Sequence, residues 1–376
     1  MDTEKLPPQQ NRTKHSTSLL LWLLRDQWFV LAIGAVILLS SQVQVPSSQQ
    51  AKKELVITYL APALVFFITG CTLPTRTLIE NYAKWKIHLF VQLQCFLLTS
   101  AISFAFVSAA ASNPSFMDAG LLVGFIIGGC LPTTISSNVV MTKQAHGNQA
   151  LTVVETTIGN GISPFLSPVL VQMYLSAGAW YTDFLPNSGS DNYAQIYRRV
   201  FKQLGLSIYV PMIVGQVIQY FFPQLTKKVF SDWKLSKLGS FALLTILWST
   251  FDQAFRSGAF ANVKRSNNVF VVFLNLILIS IWTLASFLLS IPWLKKKDTI
   301  AVCYCVPAKS IAIGVPLSAV LFVGLSTEEQ SKLQIPMVIF QCLQLAGASL
   351  LTIPFRRWVR PEEEAEATGE ESVETT

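Results

Sequence analysis

The stretch Gly129-Cys-Leu-Pro-Thr-Thr-Ile-Ser-Ser-Asn138, or GCLPTTISSN, interrupts an apolar run that is otherwise long enough to span a membrane. Its Pro132 has no backbone N–H and would end or kink a helix. Free carbonyls are costly in hydrocarbon unless they face protein or a cavity. The stretch therefore predicts a broken helix at a site for an ion or a solute. Its hydroxyl and amide side chains belong to Thr133, Thr134, Ser136, Ser137 and Asn138.

The composition indicates a polytopic membrane protein. Of the 376 residues, 51% are hydrophobic and only 13% are charged, whereas about a quarter of a soluble domain is charged. The net charge of +7 does not imply nucleic acid, because Lys and Arg collect beside the cytoplasmic ends of spans. The six cysteines lie in or beside apolar runs and the three histidines match no zinc spacing. We therefore expect a lipid bilayer, no nucleic-acid partner and no organic cofactor.

The apolar segments predict ten membrane spans. The even-numbered loops and the termini carry more Lys and Arg than the other loops, which predicts that both termini are cytoplasmic. The plasma membrane is the expected location, with the Golgi or another endomembrane as the alternative. The sequence leaves the oligomeric state open. The ten segments are 28–45, 54–72, 87–110, 118–141, 150–178, 204–223, 239–262, 269–294, 299–324 and 333–355.

A short internal match suggests how the spans are arranged. Cys130-Leu-Pro132 in span four and Cys305-Val-Pro307 in span nine share the pattern Cys-apolar-Pro. Because an odd number of spans separates them, the second half would be inverted relative to the first. The predicted fold class is all-α, with ten transmembrane helices, an inverted repeat of five plus five and broken, crossing spans four and nine. The expected units are a cytoplasmic tail 1–27, repeats 28–178 and 204–355, an extracytoplasmic loop 179–203, and an acidic cytoplasmic tail 356–376. Residues 1–20 and 361–376 are expected to be disordered.

Four ionisable residues lie at membrane depth, where a charge costs at least about 2.5–3.5 kcal/mol. Asp252 and Arg256 are four residues apart and would neutralise each other on one helix, although Asp252 is also a candidate for solute binding. Glu155 either snorkels to the surface or couples an ion. Lys309 follows the break at Pro307, where carbonyls and an anionic solute would both reach it, or it pairs with an acid.

Several motifs resemble those of the bile acid:sodium symporter family. The resemblance rests on GCLPTTISSN, on Gly147-Asn-Gln-Ala-Leu-Thr-Val-Val-Glu-Thr156 and on Ser163-Pro-Phe-Leu-Ser-Pro168. The segments His88-Leu-Phe-Val-Gln92 and Lys309-Ser-Ile-Ala-Ile-Gly-Val-Pro316 resemble its cotransporter-7-like branch, which includes fungal regulators of calcium homeostasis. The resemblance covers the ten spans and implies a panel domain, a core domain, and solute and sodium near the crossed spans.

The resemblance also implies site residues. Carried over by motif, one sodium site would draw on Ser137, Asn138, Thr152 and Thr156, with Gln92 and Glu155 as further ion-binding or coupling candidates. In the ninth span the symporters place a glutamate and, four residues later, a glutamine, which serve sodium. This chain has Cys305 and Lys309 there, so the second sodium site is not expected. The solute would then contact Thr133, Thr134, Asn138, Lys309, Ser310 and Asp252.

Two functions remain open from the sequence. The first is a secondary transporter of an organic, anionic solute, coupled to one sodium, to protons through Glu155 or Lys309, or to nothing, with a role in calcium homeostasis. The second is a membrane regulator that does not transport and restrains calcium influx by contacting calcium channels or signalling proteins. An enzyme is not expected, because the chain shows no intramembrane His-metal motif and no Ser/His nucleophile pair.

Overall fold

Every regular element that the structure describes is a helix or a helical turn. The structure is a computed structural model that describes residues 28–134, 137–186, 205–233, 237–256, 263–322 and 324–374, with positions 198, 202 and 235. The helices are α1 Trp28–Gln42, α2 Gln50–Leu55, α3 Ala61–Thr72, α4 Thr75–Tyr82, α5 Trp85–Leu93, α6 Thr99–Ala110, α7 Ala119–Gly129, α8 Ser137–Gln144, α9 Gln149–Leu175, α10 Val210–Phe221, α11 Pro223–Thr226, α12 Lys237–Arg256, α13 Arg265–Ser290, α14 Lys296–Cys305, α15 Ile311–Leu321 and α16 Thr327–Glu374.

Several helices have the length and composition of membrane spans. Among the described residues, Trp85–Ala110, Arg265–Ser290 and Glu328–Arg360 each qualify, and two bent pairs raise the number to five. The bends lie between α3 and α4, at 104°, and between Gly205–Phe221 and Pro223–Phe230, at 113°. The described part of the chain is therefore all-helical with several helices suited to span a membrane, whereas the ten-span inverted repeat stays a prediction.

Two helices are interrupted where the sequence places Pro132 and Pro307. α7 ends at Gly129 and α8 begins at Ser137, and residues 130–134 between them are not helical. α14 ends at Cys305 and α15 begins at Ile311. Proline cannot supply the N–H that the next helical bond needs, so each interruption has a local cause.

The helices pack in two groups. The first consists of α1, α3, α10 and α12, and the second contains α5 to α9 and α13 to α16. Within the first group α3 and α10 approach very closely, because each contributes a glycine. A Cβ added to Gly70 would lie 2.5 Å from the carbonyl oxygen of Met212, and one added to Gly215 would lie 2.5 Å from that of Phe67.

The loops and helix ends of the second group lie at two opposite faces. At one face, called the Asn148 face, the Asn148 side chain donates to Asn81 at 2.9 Å and to Asp298 at 2.6 Å. At the other, the Trp180 face, the Trp180 indole donates to the carbonyl of Ala111 at 2.9 Å. Alternation of loops between two faces is what repeated membrane crossing requires.

The beginning of α1 and the end of the membrane part of α16 share a face. Ala32 of α1 packs against the cluster that contains Ala145 and Phe355, and Arg356 donates to the carbonyl of Gln144. Both helices therefore reach the Asn148 face. Residues 1–27 lie outside the described part of the chain.

The acidic C-terminal segment differs from the expectation of disorder. α16 continues to Glu374 rather than ending near 355. Its extension is rich in Glu and Ala, which are strong helix formers. A helix already formed in the membrane also removes the nucleation cost that an isolated segment would face.

Candidate functional site

The two interrupted helices touch at their breaks. The backbone N–H of Ser310 donates to the carbonyl of Pro132 at 2.9 Å. The backbone N–H of Lys309 donates to Gln344 Oε1 on α16 at 2.7 Å, and Gln344 Nε2 donates back to the carbonyl of Lys309 at 3.0 Å. These bonds satisfy backbone groups that the interrupted helices leave free, as irregular backbone at membrane depth requires.

Lys309 lies where the two breaks are in contact, a place called the crossing below, and is completely buried. Its Nζ donates to the carbonyl of Cys95 at 2.5 Å, to Thr99 Oγ1 at 2.8 Å and to the carbonyl of Leu131 at 2.9 Å. It also stands 5.5 Å from the ring centroid of Trp282. An ammonium has three donors, and three neutral oxygens occupy them, while the indole adds a cation–π contact.

Local backbone irregularity supplies two of these oxygens. Leu131 lies in the non-helical segment after α7, so its carbonyl is outside a regular helix. Residues Gln94–Leu98 form a π-helical turn, in which the N–H of Thr99 bonds the carbonyl of Gln94 instead of that of Cys95. The carbonyl of Cys95 is thereby released to accept from the Thr99 hydroxyl and from Lys309. π-Turns of this kind are frequent at functional sites.

A cluster of hydroxyl and amide groups lies on the α8 side of the crossing. Asn138 Nδ2 donates to Thr133 Oγ1 at 3.0 Å and to Thr156 Oγ1 at 2.9 Å, and it lies 3.8 Å from Cys305 Sγ. Ser137 Oγ donates to Thr134 Oγ1 at 2.8 Å. All of these side chains are buried. Five of the sequence candidates for a sodium or solute site, together with Cys305, are thus within one hydrogen-bonded cluster.

The cluster is a poor sodium site in this conformation. Asn138 presents its NH₂ group, a donor, to the hydroxyls, while its Oδ1 accepts from the N–H of Val139. Thr152 lies a turn away from Thr156 and bonds Thr142 Oγ1 at 3.0 Å. Sodium as a transported ion would need oxygens turned inward, including a reversed Asn138 amide, since cations of this type prefer oxygen ligands.

Glu155 belongs to a separate buried pair. Its Oε1 lies 2.6 Å from His88 Nδ1, and its Oε2 accepts from Gln92 Nε2 at 2.8 Å. His88 Nε2 lies 3.1 Å from the carbonyl of Tyr82, which can only accept. Glu155 is fully buried, so the expectation that it snorkels to the surface is wrong. The structure holds Gln92 and Glu155 together, next to the crossing but not in contact with Lys309.

Asp252 is not part of the crossing. It accepts from Lys53 Nζ at 2.5 Å and from the N–H of Val45 at 2.6 Å, and it is fully buried. Because α12 carries it to the end opposite the Asn148 face, the structure does not bring it to the solute candidates. The sequence paired Asp252 with Arg256, whose side chain lies outside the described part of the chain. The observed partner comes from the segment between the first two apolar runs, which helix spacing could not indicate.

Five residues of this region were absent from the sequence-based site: Cys95, Thr99, Trp282, Gln344 and His88. Thr99 and Cys95 lack a signal, since small residues in an apolar run usually serve packing. His88 had one. It lies four residues before Gln92, so both face the same side of a helix, and a buried acid elsewhere needs such donors.

The family model described as the SBF-like CPA transporter family matches residues 27–357 of this chain. The chain is 35% identical to "Solute carrier RCH1" of Candida albicans over 391 aligned positions, which cover 95% of each protein. It is 33% identical to "Solute carrier RCH1" of Saccharomyces cerevisiae, covering 93% of this chain and 87% of that protein.

A more distant group of relatives is named after the cotransporter-7 branch that the motifs resemble. The chain is 26% identical to "Sodium/bile acid cotransporter 7-A" of Xenopus laevis over 91% of this chain and 95% of that protein. The resemblance stated from the motifs is thereby confirmed, and the relatives are solute carriers and cotransporters rather than enzymes. The chain belongs to the SBF-like CPA transporter family.

Proposed function

We propose that this protein is a secondary active transporter that moves an organic anion by alternating access between its two helical groups. The observation that carries the proposal is the buried ammonium of Lys309 at the crossing of the two breaks, where neutral oxygens hold it. The carbonyl and hydroxyl dipoles around it offset its burial but leave its positive charge uncompensated. An anionic solute at the crossing would complete the charge balance.

Lys309 also bears on the coupling ion. It occupies the position where the symporters that this chain resembles would use a glutamine for sodium, and Cys305 replaces their glutamate. The buried ammonium, bound by three oxygens, supplies the single positive charge that one bound cation would supply. We propose that Lys309 replaces one sodium permanently, so that at most one sodium, at Ser137, Asn138, Thr152 and Thr156, would accompany the solute.

Uptake by purified protein in liposomes tests this proposal, with sodium and pH gradients imposed separately. Labelled taurocholate and succinate serve as a large and a small anionic probe. We expect uptake of at least one, and Lys309→Gln should abolish it or make it newly sodium-dependent. Lys309→Arg should also fail, because a planar guanidinium does not fit a compact ammonium site. Exposed Lys86→Gln is the matched control. Wild-type uptake by Lys309→Gln under every gradient would remove Lys309 from the mechanism.

The orientation that goes with this function puts the Asn148 face in the cytoplasm of a plasma-membrane protein. The bias of Lys and Arg toward the loops of that face supports the assignment. Protease protection of epitope tags at both ends would check it. Two tags on opposite sides of the membrane would contradict an even number of spans.

The second candidate is a regulator that restrains calcium influx without transport. One observation favours it: the polar groups at the crossing largely satisfy each other, and the cavity beside Ser137 and Asn138 has a volume of only about 30 Å³. Its partners would be calcium channels or signalling proteins. Calcium influx in cells that express Lys309→Gln separates the two candidates. A regulator that acts through its surface would keep its effect, whereas a transporter would lose it.

A further inference from the structure

A second cavity, of about 150 Å³, lies between the two helical groups at the Asn148 face. α3 and α12 of the first group form one wall, and α8 and the start of α9 form the other. It is larger than the cavity at the crossing. α8 lines both cavities, because its first residue, Ser137, lines the cavity at the crossing and its last residue, Gln144, lines this one. None of the interactions described at the crossing uses it.

The charge of this cavity is positive. Lys143 and Lys237 both line it, one from each helical group, and both are exposed. No Asp or Glu is among the described residues that line it. Gln149, the first residue of α9, also lines it, so the positive end of that helix dipole lies there as well. Two lysines with no acidic side chain among the described lining residues, beside a helix N-terminus, are suited to an anion.

The walls provide neutral hydrogen-bonding groups and apolar side chains. Thr69, Thr72, Gln144 and Gln149 contribute hydroxyl and amide groups to the lining. Val65 and Val140 also line the cavity, and they belong to or pack on an apolar cluster with Ala61 and Ala242. That cluster joins α3, α8 and α12. The cavity is therefore lined by both polar and apolar side chains.

The volume limits the size of the ligand. Pockets for drug-sized molecules measure about 300–1,000 Å³, whereas this one has about 150 Å³. A steroid with a side chain does not fit in that space, but an ion with a few heavy atoms does.

We propose that the cavity between Lys143 and Lys237 binds a small multivalent anion, carrying phosphate or carboxylate groups, from the Asn148 face. Because one lysine belongs to each helical group, the bound anion bridges the two groups. This inference names the class of solute that the proposed transporter would carry. Binding of the anion does not depend on the proposed function, but its transport across the membrane does.

Binding is measured on the full-length protein in phosphatidylcholine nanodiscs. Inorganic phosphate is titrated against chloride at constant ionic strength, and the melting temperature is followed by intrinsic fluorescence. We expect a saturable rise, because a ligand that binds only the folded state stabilises it. Lys143→Gln and Lys237→Gln should each weaken the apparent affinity about tenfold, and the double variant should lose the shift. Lys227→Gln, an exposed lysine outside the cavity, should leave it unchanged.

Two further arms identify the source and the size of the anion. In nanodiscs with phosphatidic acid, a lipid headgroup in the cavity would raise the wild-type melting temperature without phosphate, and the double variant would not respond. If the source is a soluble anion, phosphatidic acid leaves the phosphate titration unchanged. Taurocholate below its micellar concentration should not displace phosphate. Equal displacement would overturn the size limit, and an unchanged phosphate shift in the double variant, or no shift in wild type in either lipid, would overturn the site.

The binding site and the proposed transport can fail independently of each other. Phosphate binding that depends on both lysines, without uptake of any probe into liposomes, would keep this site and reject the transporter. Succinate uptake that is unaffected in the double variant would keep the transporter and reject the site as the place where its small anionic solute binds.

Discussion

Two buried charges beside the crossing are treated differently by this fold. The carboxylate of Glu155 has a titratable base, His88, at 2.6 Å and an amide at 2.8 Å. The ammonium of Lys309 is surrounded by neutral oxygens, the Cys95 thiol at 3.5 Å and an aromatic ring. The first is a matched pair, and the second is a charge held by dipoles.

The difference teaches which charge is available to a ligand. A pair such as His88 and Glu155 is already compensated, so removing one partner leaves the other buried without its match. Under the proposed function, Lys309 is expected to attract an anion, because its partners carry no net charge. A matched pair is therefore expected to affect stability first, and the unmatched ammonium to affect function first.

The largest expected effect is that of Glu155→Leu, at about 4–5 kcal/mol of lost stability. Both His88 and Gln92 would lose the group they bond. Unfolding in SDS–detergent mixtures measures the change. His88→Leu in the same chain should recover at least about 1 kcal/mol, and a purely additive double variant would show that the two do not act as a pair.

Asp252→Leu should follow, at about 3 kcal/mol, because it leaves Lys53 buried opposite no charge. The pair lies away from the crossing, so this variant tests whether breaking a buried ion pair lowers the free energy of unfolding elsewhere in the fold as well. Lys53→Met with Asp252→Leu should regain most of the loss in the same unfolding measurement. Failure of that rescue would mean that the bond from Val45 N–H, not the ion pair, carries the stability.

Lys309→Met should cost less, about 1–2 kcal/mol. It leaves the carbonyl of Leu131 with only the weak thiol donor of Cys95 at 4.0 Å, but it also removes the free-energy cost of a buried charge. Transport of the anionic probe should nevertheless fall at least about 100-fold. Stability and uptake are measured on the same preparation. A loss of stability as large as that of Glu155→Leu would erase the distinction between the two charges.

The smallest effect is expected for Arg76→Gln, within about 0.5 kcal/mol. Arg76 and Glu80 form an ion pair at the surface, with side chains 91% and 59% exposed. Water already solvates both charges, so little is lost when the pair is broken. The same unfolding assay applies, and a change above 1 kcal/mol would show that it does not distinguish buried from exposed pairs.

The sequence predicted much of the crossing because its signals are local. Proline and clustered hydroxyls mark a break wherever the helix goes, so Pro132, Pro307, Ser137 and Asn138 were identified without a structure. The partners of the charges were not predictable in this way. Asp252 was matched with Arg256 by helix spacing, yet it bonds Lys53 across the fold.

By itself, the sequence determined that this is a helical membrane protein of its family, that two of its helices are broken, and that an ammonium stands at the second break. These properties follow from composition, from proline and from motifs, all of which act over a few residues. Only the tertiary structure decided that Lys309 meets neutral oxygens from Cys95, Thr99 and Leu131, while Glu155 meets His88. The physical reason is that in a low-dielectric interior a charge is governed by its nearest polar atoms, and chain folding brings those atoms from distant parts of the sequence.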